Sequence, residues 1–102
     1  MPNLTEQEFS RHLNSKFQLG LPDRTLELEL VEVKAYMPGV NEQAGMERFS
    51  VYFDGPPDHR LPQKLYHLEH AAMRDLDLFL VPVAGDEKKV RYEAVFNYFK
   101  QQ

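Results

Sequence analysis

The sequence contains no cysteine among its 102 residues. The chain therefore cannot form disulfide bonds, bind a metal through thiolates or use a cysteine as a catalytic nucleophile. A chain without disulfides is compatible with a reducing compartment, and we predict a cytoplasmic location.

Long apolar runs are also lacking. No segment approaches the roughly 18 consecutive apolar residues that a membrane-spanning helix needs. The N-terminal segment MPNLTEQEFSRH has no basic region followed by an apolar stretch, which is the pattern of a secretory signal. We expect neither secretion nor a membrane partner.

The sequence also lacks clusters of positively charged residues. The chain has 12 Lys and Arg against 16 Asp and Glu, so its formal net charge is -4. Its one basic pair, Lys88 and Lys89, directly follows Asp86 and Glu87. Because proteins bind nucleic acids mainly by neutralising phosphates, we predict no nucleic-acid partner.

The composition is that of a folded protein. Hydrophobic residues make up 42% of the chain, aromatic residues 12% and charged residues 27%, which lies far from the composition of disordered chains. The length suits one hydrophobic core. We predict a single domain over residues 1–102.

A short helix is predicted near the start of the chain. Thr5 and Glu8 have the spacing of a capping box, in which each side chain accepts a hydrogen bond from a backbone amide. Leu4 and Phe9 have the spacing of a hydrophobic staple across the same turn. We expect a helix over about residues 6–14.

Apolar residues recur at every second position from Lys16 onward, which is typical of strands with one buried face. The segment TLELELVEV predicts a long strand whose alternating leucines point inward as far as Leu30. The apolar residues then shift phase to Val31 and Val33. Either a bulge near Leu30 keeps both halves facing the core, or the strand passes from one-sided to two-sided burial.

Further strands are predicted in the segments FQLGL, RFSVYF, KLYHLEH, DLDLFLVPV and VRYEAVFNYF. KLYHLEH also has apolar spacings that would fit a helix. Pro82 has no backbone amide hydrogen to donate to a neighbouring strand, so its end of the strand should lie at a sheet edge or a bulge. Phenylalanines and one tyrosine are assigned to the core, namely Phe9, Phe17, Phe49, Phe53, Phe79, Tyr92 and Phe96.

About six strands without helical crossovers imply antiparallel pairing. We predict a mainly β (α+β) fold, in which a strongly bent antiparallel sheet closes or nearly closes into a small barrel. The N-terminal helix would cover one open end. A β-sandwich is the alternative, because the sequence does not decide whether the sheet closes.

Six blocks in this order resemble a family of small bacterial proteins known only as a domain of unknown function: LTEQEF, LELELVEV, FSVYFDGP, LPQKLYHLEH, LDLFLVPV and YEAVFN. The resemblance covers roughly residues 4–97. It implies a hairpin that pairs residues 65–69 with residues 76–83, and family members commonly have arginine at the place of His67. It implies no catalytic residue, and it suggests a link to phage-tail-like systems.

The segment LYHLEHAAM, residues 65–73, is the closest to a chemical motif. In a strand, His67 and Glu69 share one face while His70 lies on the other, so the three side chains cannot converge. His67 and Glu69 would then need a third ligand from across the sheet, because zinc takes three or four ligands. In a helix, His67 and His70 would share a face. We favour a surface histidine pair and predict no metal or cofactor.

Acidic residues alternate with leucine in two strands, as Glu27 with Glu29 and Asp75 with Asp77. Paired carboxylates serve some hydrolases, but this alternation is also typical of the solvated face of an antiparallel sheet. No serine lies in a nucleophile elbow, and no glycine-rich loop forms a phosphate cradle. We predict no catalytic residues and no enzymatic activity.

Two irregular segments are predicted to contact a partner, residues 37–46 and the proline-rich residues 55–62. Methionine adapts to irregular surfaces, and a proline-rich segment loses little entropy on binding. Terminal aromatic residues add contact area. The candidate partner-binding residues are Met37, Val40, Met46, Pro57, His59, Tyr98 and Phe99.

These observations favour a non-enzymatic module that binds another protein or takes part in an assembly. The alternative is a small metal- or ligand-binding enzyme that uses His67 and Glu69, with His59 or His70. The sequence leaves the oligomeric state open.

Overall fold

Alternating apolar and polar residues build the strands where the sequence predicts them. The computed structural model describes residues 5–35 and 46–99 of the chain. Within these residues there are one helix and six strands: α1 (Glu6–Ser10), β1 (Lys16–Gly20), β2 (Thr25–Ala35), β3 (Met46–Gly55), β4 (Lys64–His70), β5 (Arg74–Gly85) and β6 (Val90–Phe99). The segment KLYHLEH is a strand, as the resemblance implied, and not a helix.

The six described strands form a closed barrel in the order β1-β2-β3-β6-β5-β4, and every pairing is antiparallel. The predicted barrel is therefore confirmed, and the alternative of a sandwich is wrong. Four of the pairings join strands that are consecutive in the chain. The other two join distant strands, β3 with β6 over a long ladder and β1 with β4 through Gln18↔Glu69 and Leu19↔Leu68.

Large apolar side chains fill the barrel interior. Phe17 packs edge-on against Phe53 with ring centroids 5.1 Å apart, and both rings are fully buried. Six of the seven aromatic residues assigned to the core lie in it or pack against it. Phe79 is the exception, because the inward positions of β5 are taken by Leu78 and Leu80 on either side of it. The prediction that Phe79 belongs to the core is wrong.

Two bulges keep the long strands in register with the core. The pairing of β2 with β3 shifts between Leu30 and Glu32, which confirms the predicted bulge near Leu30. The pairing of β5 with β6 shifts between Pro82 and Ala84, where a proline has no amide to donate. Each bulge adds one residue to one strand and increases its bend, which helps a small sheet to close.

The N-terminal helix is shorter than predicted. The Thr5 hydroxyl accepts a hydrogen bond from the Glu8 amide at 3.1 Å, as a capping box requires. The helix ends at Ser10 instead of near residue 14, and Asn14 adopts a left-handed conformation with φ of 68°. The Asn14 amide donates to the Leu30 carbonyl at 2.6 Å, so the chain turns here into β1.

The helix covers one end of the barrel through Phe9. Its ring lies 6.0 Å from the ring of Phe49 and 5.4 Å from that of Phe96, measured between centroids. Leu4, the other member of the predicted staple, lies outside the described residues. In the described parts of the chain, no helix is long and apolar enough to cross a membrane.

The proline-rich connection between β3 and β4 covers the opposite end. Its buried Leu61 donates its backbone amide to the Tyr92 hydroxyl at 2.8 Å. Tyr92 lies beside Gly55, where a Cβ atom would approach the Leu28 side chain to 2.6 Å. A glycine at this position therefore leaves room for both neighbouring side chains.

An ion pair joins β3 to β6 near the same end. Asp54 accepts hydrogen bonds from Arg91 at 2.9 Å and 3.2 Å, and Lys89 lies 3.2 Å from it. Burial acts to raise the pKa of Asp54, but the hydrogen bonds from Arg91 and Lys89 outweigh it, and the pKa lies below its ordinary value of 3.8. Asp54 therefore stabilises the fold as a carboxylate.

We expect Phe53→Ala to lower the free energy of unfolding by about 3–5 kcal/mol, because it leaves a cavity in the packed interior. Phe79→Ala is the matched control, and its cost should stay below about 1 kcal/mol because the ring is half exposed on a strand surface. Urea unfolding measures both. An equal cost for the two variants would contradict the outward position of Phe79.

We expect Asp54→Asn to lower the free energy of unfolding at pH 7 by about 1–3 kcal/mol, since charged hydrogen-bond partners are lost. A lowered folded pKa means that the stabilisation is complete above pH 3.8 and disappears as the pH falls through the folded pKa. The difference in the free energy of unfolding between Asp54→Asn and the parent should therefore become smaller as the pH falls. Asp58→Asn, the same change at an exposed aspartate, is the control, and a difference that stays constant with pH would contradict the assignment.

Candidate functional site

The β4–β5 hairpin places four polar side chains together on the outer face of the barrel. His67 lies directly opposite Asp77, and Glu69 lies directly opposite Asp75. Alternate residues of a strand share a face, and all four side chains are exposed. We call these residues the His67 cluster.

The histidine ring lies at the centre of the cluster. His67 Nδ1 is 2.9 Å from Asp77 Oδ1, while His67 Nε2 is 3.9 Å from both Glu69 Oε2 and Asp75 Oδ2. An ionised carboxylate can only accept, so Nδ1 donates to Asp77. One ligand atom from each of His67, Glu69 and Asp75 lies within 4.8 Å of the others.

The three carboxylates favour a protonated ring. The hydrogen bond to Asp77 raises the pKa of His67, and the charges of Asp75 and Glu69 raise it further, against a smaller opposing effect of desolvation. With a proton on each ring nitrogen, the imidazolium faces Asp77 on one side and the other two carboxylates on the other. The three carboxylates therefore favour a positive charge at this position.

The sequence left open whether a third ligand lies close to His67 and Glu69. Asp75 lies across the β4–β5 pair, which is where any third ligand was expected from the sequence. Asp75 was recognised only as an outward acid. Its position opposite Glu69 depends on the three-residue turn Ala71 to Met73, which sets the register of the hairpin.

His70 lies on the inner side of the same strand and makes a different set of contacts. Its Nδ1 atom accepts from the backbone amides of Ala72 at 3.0 Å and Met73 at 3.1 Å. Its Nε2 atom is 2.9 Å from the Ser15 hydroxyl, and its ring packs 4.3 Å from Phe17 between centroids. As predicted for a strand, His70 does not join His67 and Glu69.

These contacts make His70 a structural residue. Because Nδ1 accepts two amide hydrogens, the neutral ring has its proton on Nε2 and donates it to Ser15. Ser15 donates in turn to the His12 carbonyl. Burial lowers the pKa of His70, and the nearby His12 ring lowers it further. A ring that donates to the serine oxygen cannot take the serine proton, so this pair is not a nucleophile with its base.

Large apolar side chains lie next to the His67 cluster on the outer face. Leu65 on β4 is directly opposite Phe79 on β5, and their exposures are 59% and 49%. Val95 on β6 is 63% exposed, and the pairing of Val81 with Glu93 places it on the same face. We call Leu65, Phe79 and Val95 the apolar patch.

A family model for a domain of unknown function (DUF6916) matches residues 4–96. The chain belongs to this family. The resemblance noted from the sequence blocks is thereby confirmed as a match to a family without a characterised activity. No curated protein and no solved structure matches the chain.

The predicted partner-binding residues in the described part of the chain lie toward opposite ends of the β3–β6 ladder. Met37 and Val40 lie outside the described residues. Met46 in β3 is opposite Phe99 in β6, next to the pair of Glu47 with Tyr98. Pro57 is exposed and His59 half-buried at the far end of that ladder. The apolar patch was not identified from the sequence, although the alternating pattern of β4 and β5 places Leu65 and Phe79 on the outer face.

The acids of β2 are ordinary surface residues. Glu29 accepts from Lys16 at 3.2 Å and Glu27 accepts from Gln18 at 3.3 Å, in both cases across the β1–β2 pair. Such cross-strand pairs are what the solvated face of an antiparallel sheet contains. The arrangement provides no reason to assign chemistry to these two glutamates.

We expect His70→Ala to lower the free energy of unfolding by about 2 kcal/mol or more, because two amides and the Ser15 hydroxyl lose a partner. His67→Ala, a matched change three residues earlier on the exposed face, should leave it nearly unchanged. His70→Asn should recover part of the loss, since asparagine can accept from amides two and three residues on. Urea unfolding tests all three, and equal effects of the two alanine variants would contradict the structural role of His70.

Proposed function

We propose that this DUF6916 domain is a non-enzymatic module that binds a partner protein through the outer face of β4, β5 and β6. The observation that carries the proposal is the apolar patch, in which three large apolar side chains face solvent on neighbouring strands. Grouped apolar residues on a surface are typical of interaction sites. Each side chain is about half exposed, and covering the exposed part contributes roughly 1 kcal/mol.

Charge at the border of the patch indicates the chemistry of the partner. Asp77 lies two residues before Phe79 on the same face of β5, and Glu93 lies two residues before Val95 on β6. We infer that the partner presents an apolar surface flanked by lysine or arginine. A second copy of this chain fits less well, because both copies have a net charge of -4 and acids at this border.

The alternative of a small metal- or ligand-binding enzyme receives less support. His67 and Glu69 lie exposed on the outside of the barrel, whereas catalytic groups work in concave sites that exclude water. A role in phage-tail-like assemblies, and a cytoplasmic location in a bacterium, are compatible with a binding module. Both remain predictions.

The test begins with a photo-crosslinking amino acid at position 79 of the intact protein in its native host. The crosslinked partner is identified, purified and titrated against the parent protein and two variants. We expect Phe79→Ser to weaken the measured affinity at least tenfold. Leu13→Ser is the matched control, because Leu13 is also exposed but lies outside the patch, and it should leave the affinity unchanged. Affinity should also fall as salt rises, since charges border the contact.

Three outcomes would contradict the proposal. The first is that no purified partner binds directly. The second is binding that responds equally to Phe79→Ser and Leu13→Ser. The third is concentration-dependent dimerisation of the parent in sedimentation velocity that is lost in Phe79→Ser, because the patch would then bind a second copy of the chain.

A further inference from the structure

The His67 cluster has the arrangement of a metal site with its supporting contact already formed. Metal-bound histidines almost always donate their second ring nitrogen to a carboxylate or carbonyl, which fixes the ring and its tautomer. Here Nδ1 of His67 donates to Asp77. This contact directs Nε2 toward the carboxylates of Glu69 and Asp75.

We propose that His67 Nε2, Glu69 and Asp75 bind a divalent transition-metal ion such as Zn²⁺, and that Asp77 is the positioning residue for the imidazole. One nitrogen and two carboxylate oxygens form a donor set that suits Zn²⁺ and neighbouring ions. Ca²⁺ is a poorer fit, because it takes six to eight oxygen ligands and has little affinity for imidazole. The proposal is independent of the partner-binding role.

Metal binding requires the two carboxylates to move toward the ring and toward each other. Atoms that each lie about 2.1 Å from one ion are roughly 3–3.5 Å from one another. The two separations from His67 Nε2 are 3.9 Å, and the three ligand atoms lie within 4.8 Å of one another. The carboxylates must therefore approach the ring by about half an ångström and approach each other by up to about 1.5 Å. All three side chains are exposed, and exposed carboxylates can make this movement without disturbing the barrel.

The rigid part of the site is the backbone beneath it. Glu69 and Asp75 are directly opposite each other, and so are His67 and Asp77, so the hairpin ladder sets the spacing of all four Cα atoms. A groove of about 340 Å³ borders the cluster and is lined by Lys16, Gln18, Glu69, His70, Ala71 and Asp75. It leaves space for water or another ligand at the remaining positions of a three-ligand ion.

Isothermal titration of the tag-free protein with zinc chloride tests the proposal. We expect one Zn²⁺ per chain. His67→Ala and the double variant Glu69→Gln/Asp75→Asn should each weaken binding at least tenfold. His59→Ala and Glu27→Gln are matched controls that should bind zinc like the parent, as should Phe79→Ser. Circular dichroism confirms that each variant is folded.

The role of Asp77 needs a separate readout. We expect Asp77→Ala to weaken zinc binding roughly 10–100-fold, the usual range for a lost supporting contact. Asp77→Asn should recover part of this loss, because its carbonyl oxygen can still accept from Nδ1. In nitrogen-15 NMR of the histidine rings, zinc should shift the Nε2 resonance of His67 while Nδ1 stays protonated.

Three results would overturn the metal site. They are the absence of zinc binding at millimolar concentration, zinc binding that His67→Ala leaves unchanged, and a preference for Ca²⁺ over Zn²⁺. A zinc-induced shift at Nδ1 instead of Nε2 would overturn the role of Asp77. None of these results depends on whether a partner protein binds the apolar patch.

Discussion

The barrel depends on the contact between β1 and β4, where the first strand meets the fourth and closes the sheet. Among the described residues, β1 and β4 pair through Gln18↔Glu69 and Leu19↔Leu68, so this ladder provides few hydrogen bonds. Further contacts come from a side chain on the inner side of the β4–β5 hairpin. His70 joins the β4–β5 turn to Ser15 just before β1, and its ring packs on Phe17. His70 therefore adds side-chain contacts to the short ladder that closes the barrel, and it links the hairpin to the segment between the N-terminal helix and β1.

The same hairpin presents two unlike surfaces because neighbouring residues of a strand point to opposite faces. His70 faces inward, where its contacts are complete and its removal should affect the fold. His67 faces outward, where three carboxylates surround it and its removal leaves the core intact. Structural and ligand-binding roles can thus be separated by substitutions only three residues apart. The apolar patch continues the outer face along the same two strands and onto β6.

Local pattern was enough to predict much of the fold. Alternation placed the inward residues, the phase shift after Leu30 marked one bulge, and Pro82 marked the other. Closure was not readable, since the pairings of β3 with β6 and of β1 with β4 join segments that share no local signal. Phe79 was assigned to an inward position, although the inward positions of Leu78 and Leu80 required it to face outward. Asp75 joins His67 only through the register of the hairpin, which three turn residues determine.

The sequence separation across the closing contact has a consequence for how the protein folds. Ser15 and His70 are 55 residues apart. The chain between them must lose conformational entropy before their contact can stabilise the fold. Hairpins such as β4–β5 can form early, whereas closure comes late. Until then β1 and β4 are open edges whose free amides and carbonyls can pair with another chain. The contact that completes the barrel is also its protection against aggregation.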